Sequence, residues 1–231
     1  MIALKKVAKA PPAASRGGEG LSGVDLSIAR GDFLLVVAPS EWTRAALLNI
    51  IGLLDKPDSG SYEFDGREVL GLGDRERARF RSRRFGFVFR EPRLLEEYDL
   101  EGNLMLPMAF AGMPRHLRAR RAGELLDRVG LESARGKRGS SLSSQEARLV
   151  SIARALANDP ACLLVNDSGL PGEEATADLL VELHGEGLTI VVTSPGLGSN
   201  LTRTLPDMRA VRVDKGRIED IPAAMIAGVM W

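Results

Sequence analysis

Long apolar runs and signals for export are what this sequence lacks. No segment reaches the roughly 18 to 20 consecutive apolar residues that a helix needs to cross a bilayer. The apolar tail, residues 221–231, is about half that length, and we expect a docked terminal helix there. Residues 1–10 hold three lysines but no apolar stretch after them, so a secretory signal is not predicted.

Cysteine is also scarce, because the chain has a single one, Cys162, inside an apolar run. One thiol cannot form an internal disulfide, which favours a reducing compartment. A small core residue is the expected role of Cys162.

Neither sign of charge is in excess, since 31 basic residues balance 31 acidic ones. No global attraction to nucleic acid or anionic lipid follows. Arginines crowd the predicted helices 74–84 and 114–129, but acidic residues are interspersed and aromatics make up only 5%. A solvated helix surface is the better interpretation, and no nucleic-acid partner is predicted. His116 and His184 are isolated, so no metal site is predicted either.

Continuous apolar runs that alternate with helical segments predict the fold. Runs of this kind fit strands buried on both faces of a mostly parallel sheet. The runs lie at residues 33–37, 85–89, 161–166 and 189–194; a turn is expected at 39–43, and helices at 44–54, 74–84, 143–156 and 172–184. Shorter alternating stretches add an antiparallel β part. We therefore predict an α/β core of residues 1–90 and 158–231, and an inserted helical lobe of residues 91–157 that contains no strand.

Several segments resemble a known family. A buried strand, a loop and a helix at residues 32–54 form the setting of a phosphate-binding loop. The segments are residues 31–60, FGFVF at 85–89, EGNLMLP at 101–107, LLDRVGL at 125–131 and IARALANDP at 152–160. Together they resemble ATP-binding subunits of ABC transporters, nearest to the lipoprotein-releasing, macrolide-exporter and cell-division branch. The resemblance implies a P-loop NTPase-type ABC ATPase domain that uses ATP and magnesium where its site is intact.

The phosphate-binding loop departs from the family pattern, which is Gly, four residues, then Gly-Lys-Ser/Thr. None of the four specified residues is kept. The stretch reads Ala38, Pro39, Ser40, Glu41, Trp42, Thr43, Arg44, Ala45, Ala46. Glycines allow the positive φ that makes backbone N–H groups converge on phosphate, and other residues adopt it at a cost. Arg44 keeps the charge of the family lysine without its compact shape, and Ala45 lacks the hydroxyl for magnesium.

The other motifs implied by the resemblance are altered as well. Asn166 replaces the carboxylate that supports magnesium, and Asp167 is one methylene shorter than the glutamate that polarises the attacking water. Arg90 replaces the glutamine that senses the γ-phosphate, and Ser194 replaces the switch histidine. The signature Leu-Ser-Gly-Gly-Gln reads Leu142, Ser143, Ser144, Gln145, Glu146. Ser143, with Glu146 three residues on, also predicts a capping box at a helix start.

These losses predict a pseudo-ATPase with no catalytic residue. No resident cofactor is predicted; if the site still functions, its cofactors would be ATP and magnesium. Two hypotheses describe the remodelled site. In the first, Glu41 pairs with Arg44 or Arg90 and acts as an internal anion; the alternative to this hypothesis is that Glu41 and Arg90 are simply solvated charges. In the second, Arg44 and Arg90 bind an anion without a metal ion. Slow or regulatory use of ATP is the alternative function.

Residues 89–113 still match the family, which docks there against a membrane partner. Helical core packing also explains their apolar side chains. The contrast with the altered motifs predicts a structural or regulatory coupling subunit for an integral membrane transporter-type partner. Such a subunit would lie at the cytoplasmic face of the membrane, as a homodimer or heterodimer of ABC ATPase-like chains.

Overall fold

The computed structural model describes residues 1–12, 19–166, 174–197 and 208–227. The strands of this part of the chain are β1 Ile2–Lys9, β2 Leu21–Ile28, β3 Phe33–Val37, β4 Ser59–Phe64, β5 Arg67–Glu68, β6 Phe85–Val88, β7 Cys162–Asn166, β8 Thr189–Ser194, β9 Arg209–Asp214 and β10 Arg217–Ile221. The helices are α1 Glu41–Ile51, α2 Asp74–Arg84, α3 Leu100–Phe110, α4 Arg115–Arg128, α5 Ser144–Ala155, α6 Glu174–Gly185 and α7 Ala223–Ala227.

A six-stranded sheet forms the centre, in the order β10-β9-β3-β8-β7-β6. Its strands run parallel from β9 to β6, and β10 pairs antiparallel with β9. All residues of β3 and β8 are buried. This confirms the prediction of a mostly parallel core sheet, because a strand covered on both faces needs apolar residues at every position.

A second, antiparallel sheet has the order β2-β1-β4-β5. Its buried residues share one hydrophobic cluster with β3 and α1. The buried hydroxyl of Tyr62 donates a hydrogen bond to the carbonyl oxygen of Ile51 at 2.6 Å, which ties this sheet to the end of α1. The predicted antiparallel part is thus present beside the helix that carries the site.

Between β6 and β7 the chain forms α3, α4 and α5 without a strand. Their buried side chains belong to the same cluster as Phe33 and Leu35 on one face of the central sheet. Arg128 on α4 also pairs with Glu182 and Glu186 near the end of α6. The division into two lobes at residues 91 and 157 stays a prediction. None of the described helices combines the length and apolarity needed to cross a bilayer.

The first helix corrects one prediction. The sequence predicts a turn at residues 39–43 and a helix from 44 to 54, but α1 spans Glu41–Ile51. Ser40 is its N-cap and accepts a hydrogen bond from the backbone N–H of Thr43. A serine cap followed by an acidic residue starts a helix efficiently, so the chain turns into the helix three residues early.

Candidate functional site at the start of the first helix

The loop between β3 and α1 is folded as a capped helix start. The N–H of Ala38 donates to the carbonyl oxygen of Ser194 at 3.0 Å. Ser40 Oγ accepts from the N–H of Thr43 at 3.2 Å, and the Ser40 carbonyl accepts from the N–H of Arg44 at 3.2 Å. Every positive φ of a described residue lies outside 38–46. These N–H groups therefore serve the helix and its cap and do not converge on the centre of a loop.

Arg44, the predicted counterpart of the family lysine, is turned inward. Its side chain is buried, with 6% exposure. Its Nη1 donates to the carbonyl oxygens of Ala38 at 2.5 Å and Pro39 at 2.9 Å. Five donors on a planar group suit this use, because one guanidinium can bind several backbone carbonyls at once. The guanidinium thus binds the backbone of its own loop and stabilises the loop conformation.

Glu41 pairs with Arg90, one of the two partners considered for it. Arg90 Nη1 lies 2.9 Å from Glu41 Oε2, with the two side chains 48% and 61% exposed. A surface ion pair of this kind contributes about 1 kcal/mol or less to stability. The ion pair places a carboxylate and a guanidinium next to each other at the start of α1, so that each neutralises the charge of the other there.

Four of the predicted residues meet around one cavity of about 280 Å³. Its lining includes Glu41, Ala45, Arg90 and Asn166. Asn166 Oδ1 accepts a hydrogen bond from Thr193 Oγ1 at 3.3 Å. The described part of the chain contains no cluster of acidic, histidine or cysteine side chains that could hold a metal ion. The predicted counterparts of the family's magnesium ligands therefore meet at this cavity, where Ala45 offers a methyl group and Asn166 an amide.

A second cavity, of about 360 Å³, adjoins the other side of the loop. Ser40 and Thr43 line it together with two acidic residues, Glu19 and Asp214. Thr43 Oγ1 donates to the carbonyl oxygen of Glu19 at 2.7 Å. Carboxylates beside a helix start raise the electrostatic cost of bringing a polyphosphate there.

The remaining loop and switch residues are used for packing. Trp42 packs against a hydrophobic cluster, and Ala46 belongs to it. Ser194, with 1% exposure, donates from Oγ to the carbonyl oxygen of Gly196 at 2.9 Å. Asp167, the predicted counterpart of the glutamate, lies outside the described residues. The described side chains thus offer no group in the role of the switch histidine.

The signature segment confirms its predicted capping box. Ser143 Oγ accepts from the N–H of Glu146 at 3.2 Å, while Glu146 Oε2 accepts from the N–H and the hydroxyl of Ser143, each at 2.8 Å. The backbone hydrogen bond from Ser143, followed by the hydroxyl, lowers the pKa of Glu146. Residues 142–146 line neither cavity described above. The carboxylate of Glu146 therefore lies at the N-terminus of α5, where it accepts hydrogen bonds from Ser143.

Replacing Ser143 with alanine should lower the free energy of unfolding by about 1 kcal/mol, because the cap hydroxyl of α5 is lost. Equilibrium urea unfolding measures this. Ser144→Ala is the matched control: Ser144 is the first helical residue, and we expect a change within about 0.5 kcal/mol. Equal effects of the two substitutions would argue against the cap.

Arg148, which is not among the predicted site residues, is buried at 3% exposure. Its Nη1 donates to the carbonyl oxygen of Phe89 at 2.5 Å, and its Nη2 to that of Asn166 at 3.0 Å. Arg148 thereby joins α5 to the ends of β6 and β7, where Arg90 and Asn166 are carried. One sequence signal could have indicated that Arg148 is buried: it lies four residues before the apolar Ile152, which places both residues on the same side of the helix.

The elements around this site define a class of protein. A mixed sheet, with a strand–loop–helix unit beside an antiparallel sheet and helices inserted between β6 and β7, is the architecture of an ATP-binding cassette. The family model described as ABC transporter matches residues 21–168, and the chain belongs to this family.

Named relatives agree with the predicted branch. A macrolide export ATP-binding/permease protein of Paracoccus denitrificans is 38% identical over 203 residues, which are 84% of this chain and 30% of that protein. This chain thus spans less than a third of that protein's length. The lipoprotein-releasing system ATP-binding protein of Ruegeria pomeroyi is 39% identical over 203 residues, 86% of this chain and 87% of that protein.

Among solved structures, a dimeric ATP-binding cassette in a post-hydrolysis state, bound to ADP and phosphate, superposes with a TM-score of 0.80. Its sequence is 29% identical, and the match covers 96% of this chain and 99% of that one. This likeness confirms the predicted P-loop NTPase-type ABC ATPase fold.

ATP and magnesium, which the family implies, do not fit the residues present. The loop N–H groups of Thr43 and Arg44 are already bonded, and Arg44 is folded back onto backbone carbonyls. Ala45 and Asn166 carry neither the hydroxyl nor the carboxylate that would hold the metal. The described residues therefore supply neither the phosphate cradle nor the metal ligands that a nucleotide-dependent step would use.

Proposed function

We propose that this ABC transporter subunit is a pseudo-ATPase that acts as a structural or regulatory coupling subunit for an integral membrane partner. The observation that carries the proposal is the folded-back loop: Arg44 donates to Ala38 and Pro39, and Ser40 caps the helix. Each contact takes up a group that a phosphate would need. Loss of one transition-state donor costs about 10² to 10³ in rate, and here donors, metal ligands and charge balance change together.

Retention of a docking surface supports the coupling role. A groove of about 420 Å³ runs between α2, β6 and α3, and we call it the α2–α3 groove. It is lined mainly by residues 81–110, with Arg154, Ala155 and Asn158 at one side. This range contains much of the stretch 89–113, in which the family resemblance is kept. A subunit that docks without hydrolysing would work at the cytoplasmic face of the membrane, below its partner.

A dimer of ABC ATPase-like chains is part of the proposal. In the family each site combines the phosphate-binding loop of one chain with the signature of the other. Here Glu146 fills the start of α5 with a carboxylate, so pairing with an intact chain would impair that chain's site as well. This favours a homodimer over a heterodimer with one active site.

Calorimetric titration of ATP into the full chain, once with magnesium and once with a chelator, tests the proposal. We expect no saturable heat in either condition. Magnesium-dependent binding would contradict it and favour slow or regulatory use of ATP. Binding that resists the chelator and is lost in Arg44→Met and Arg90→Met variants would instead support metal-free anion binding.

A further inference from the structure

Helix α2 is rich in arginine and has no buried side. Six of its eleven residues are arginines, and none of the eleven is buried. It is attached to the rest of the protein by Phe80, whose ring lies edge-on to that of Phe64 at 5.2 Å, and by Arg81, which donates to the carbonyl oxygen of Leu53 at 2.9 Å. Most helices in proteins are stabilised by packing of an apolar face, so packing does not account for the composition of α2.

Three of the six arginines have partners within the chain. Besides Arg81, Arg77 pairs with Asp74 at 2.8 Å. The guanidinium of Arg84 lies over the ring of Phe80, 6.0 Å from its centroid. These three side chains therefore contribute to the attachment of α2 and to its own stability.

The other three, Arg75, Arg79 and Arg83, form one exposed row, which we call the α2 arginine stripe. They are four residues apart, so they lie on the same side of the helix at steps of about 6 Å. All three are exposed. Within the described ranges of the chain, none of them takes part in an ion pair.

The two acidic residues of α2 are engaged by other arginines. Asp74 pairs with Arg77, and Glu76 pairs with Arg67 at 2.7 Å. Like charges four residues apart destabilise a helix, so the stripe lowers the stability of α2 when nothing neutralises it. An anion bound along this side would remove that cost.

The position of the stripe indicates which anion it meets. Arg81 and Ser82 line the α2–α3 groove from α2, and Arg83 follows them directly in the chain. The stripe therefore borders the surface that the coupling role turns toward the membrane. A row of charges along one side of a helix can meet a flat surface over its whole length.

We propose that the α2 arginine stripe binds the anionic phospholipid headgroups of the membrane beside the partner subunit. Guanidinium groups bind phosphate oxygens in a bidentate way, and headgroups can move sideways in the membrane to meet each of the three. A basic residue near an anionic membrane surface strengthens binding about fivefold, so three give about a hundredfold. This inference rests on the proposed coupling function, which orients the stripe, and adds a lipid partner to it.

The stripe suits a lipid surface better than a nucleic acid. Proteins that bind single strands combine positive charge with aromatic side chains on which bases stack. Ala78 and Ser82 lie between the arginines on this side of the helix, and Phe80, the aromatic residue of α2, is directed toward Phe64. Three charges also neutralise only a few phosphates of a nucleic acid.

Flotation of the full chain with lipid vesicles tests the proposal. One set contains about 30% phosphatidylglycerol in phosphatidylcholine, and the other is phosphatidylcholine alone. We expect the partition coefficient to be at least tenfold higher on the anionic vesicles and the difference to shrink as salt is added. Free glycerol phosphate at the same phosphate concentration should not displace the chain from the vesicles. Equal partition on both vesicles, or displacement by glycerol phosphate, would overturn the proposal and leave the stripe a solvated surface.

A pair of double variants places the binding on the stripe. Arg79→Gln with Arg83→Gln should lower the partition on anionic vesicles at least tenfold. Arg212→Gln with Arg217→Gln makes the same change in net charge on β9 and β10, at the opposite edge of the central sheet from β6, and should lower it less than twofold. Equal losses in the two variants would assign the attraction to overall charge and overturn the proposal. Urea unfolding of both variants checks that a loss of binding does not come from misfolding.

A nucleic-acid partner and the nucleotide result are distinguished in the same series. If a dye-labelled single strand of about 20 nucleotides binds the chain, loses its binding in the stripe variant, and anionic vesicles do not bind, the lipid partner is refuted in favour of a nucleic acid. The vesicle measurement contains no ATP. Bound nucleotide in the calorimetric titration would therefore refute the pseudo-ATPase and leave the lipid result standing.

Discussion

ATP should bind at least tenfold more tightly to a variant with a rebuilt phosphate-binding loop than to the parent chain. The five changes are Ala38→Gly, Glu41→Gly, Thr43→Gly, Arg44→Lys and Ala45→Ser. Glycines permit the positive φ that lets N–H groups converge on phosphate, and they weaken the helix start at Ser40 in favour of an open loop. Lysine supplies a compact charge, and the serine hydroxyl a magnesium ligand. Calorimetry with magnesium and with a chelator measures the gain.

A control variant separates loop flexibility from ligand chemistry. It carries the same three glycines, with Arg44→Met and Ala45 unchanged, and we expect no gain in affinity. Hydrolysis should stay absent in the rebuilt variant, because Asn166 still lacks the carboxylate of the metal site. If the rebuilt loop binds ATP no better than the parent chain, the five residues are not what prevents binding, and the site proposal loses its basis.

The second large effect is expected at Arg148. Arg148→Met should lower the free energy of unfolding by about 3 kcal/mol, because two partly buried carbonyl oxygens, of Phe89 and Asn166, lose their donor. Methionine keeps much of the side-chain length, so a cavity contributes little. At this chain length, the melting temperature should fall by about 6 to 12 °C. Urea denaturation at equilibrium gives the free energy directly.

Arg120→Met on α4 is the comparison for this substitution. Arg120 is 79% exposed and pairs with Glu124 one helical turn away, so its loss should cost about 0.5 kcal/mol or less. A change of under about 1 kcal/mol at Arg148 would contradict the structural role given to it.

The rebuilt loop and the Arg148 substitution both test the role of arginine-to-carbonyl hydrogen bonds in this region. Arginine-to-carbonyl hydrogen bonds stabilise the loop at Ala38–Arg44 and the ends of β6 and β7. If the proposal holds, we expect this region to keep its fold without nucleotide.

Much of the fold could be predicted, because its signals are local in sequence. The apolar run at Phe33–Val37 predicts a strand buried on both faces, and the structure buries all five residues. Ser143 and Glu146, three residues apart, predict the capping box that is observed. The pairing of Glu41 with Arg90 was one of two alternatives, and charge alone could not select between them because Arg44 carries the same charge.

The direction of the arginine side chains could not be predicted. Arg148 meets Phe89 across 59 positions of sequence, and periodicity does not say which backbone carbonyls will lie near a buried guanidinium. The early start of α1 was missed for a related reason: the family pattern suggested a loop at Glu41, whereas the Ser40 cap favours helix.

The sequence by itself thus determined the alternation of buried strands and helices and the family, because composition, period and motif spacing are properties of the chain. The replacement of the phosphate and metal ligands stays a prediction from the same sequence. Only the tertiary structure decided where the arginines point: Arg44 into its own loop, and Arg148 across two strand ends. The reason is physical. A guanidinium has several rotatable bonds and five donors, so its partners are set by whichever carbonyls and carboxylates folding brings within reach.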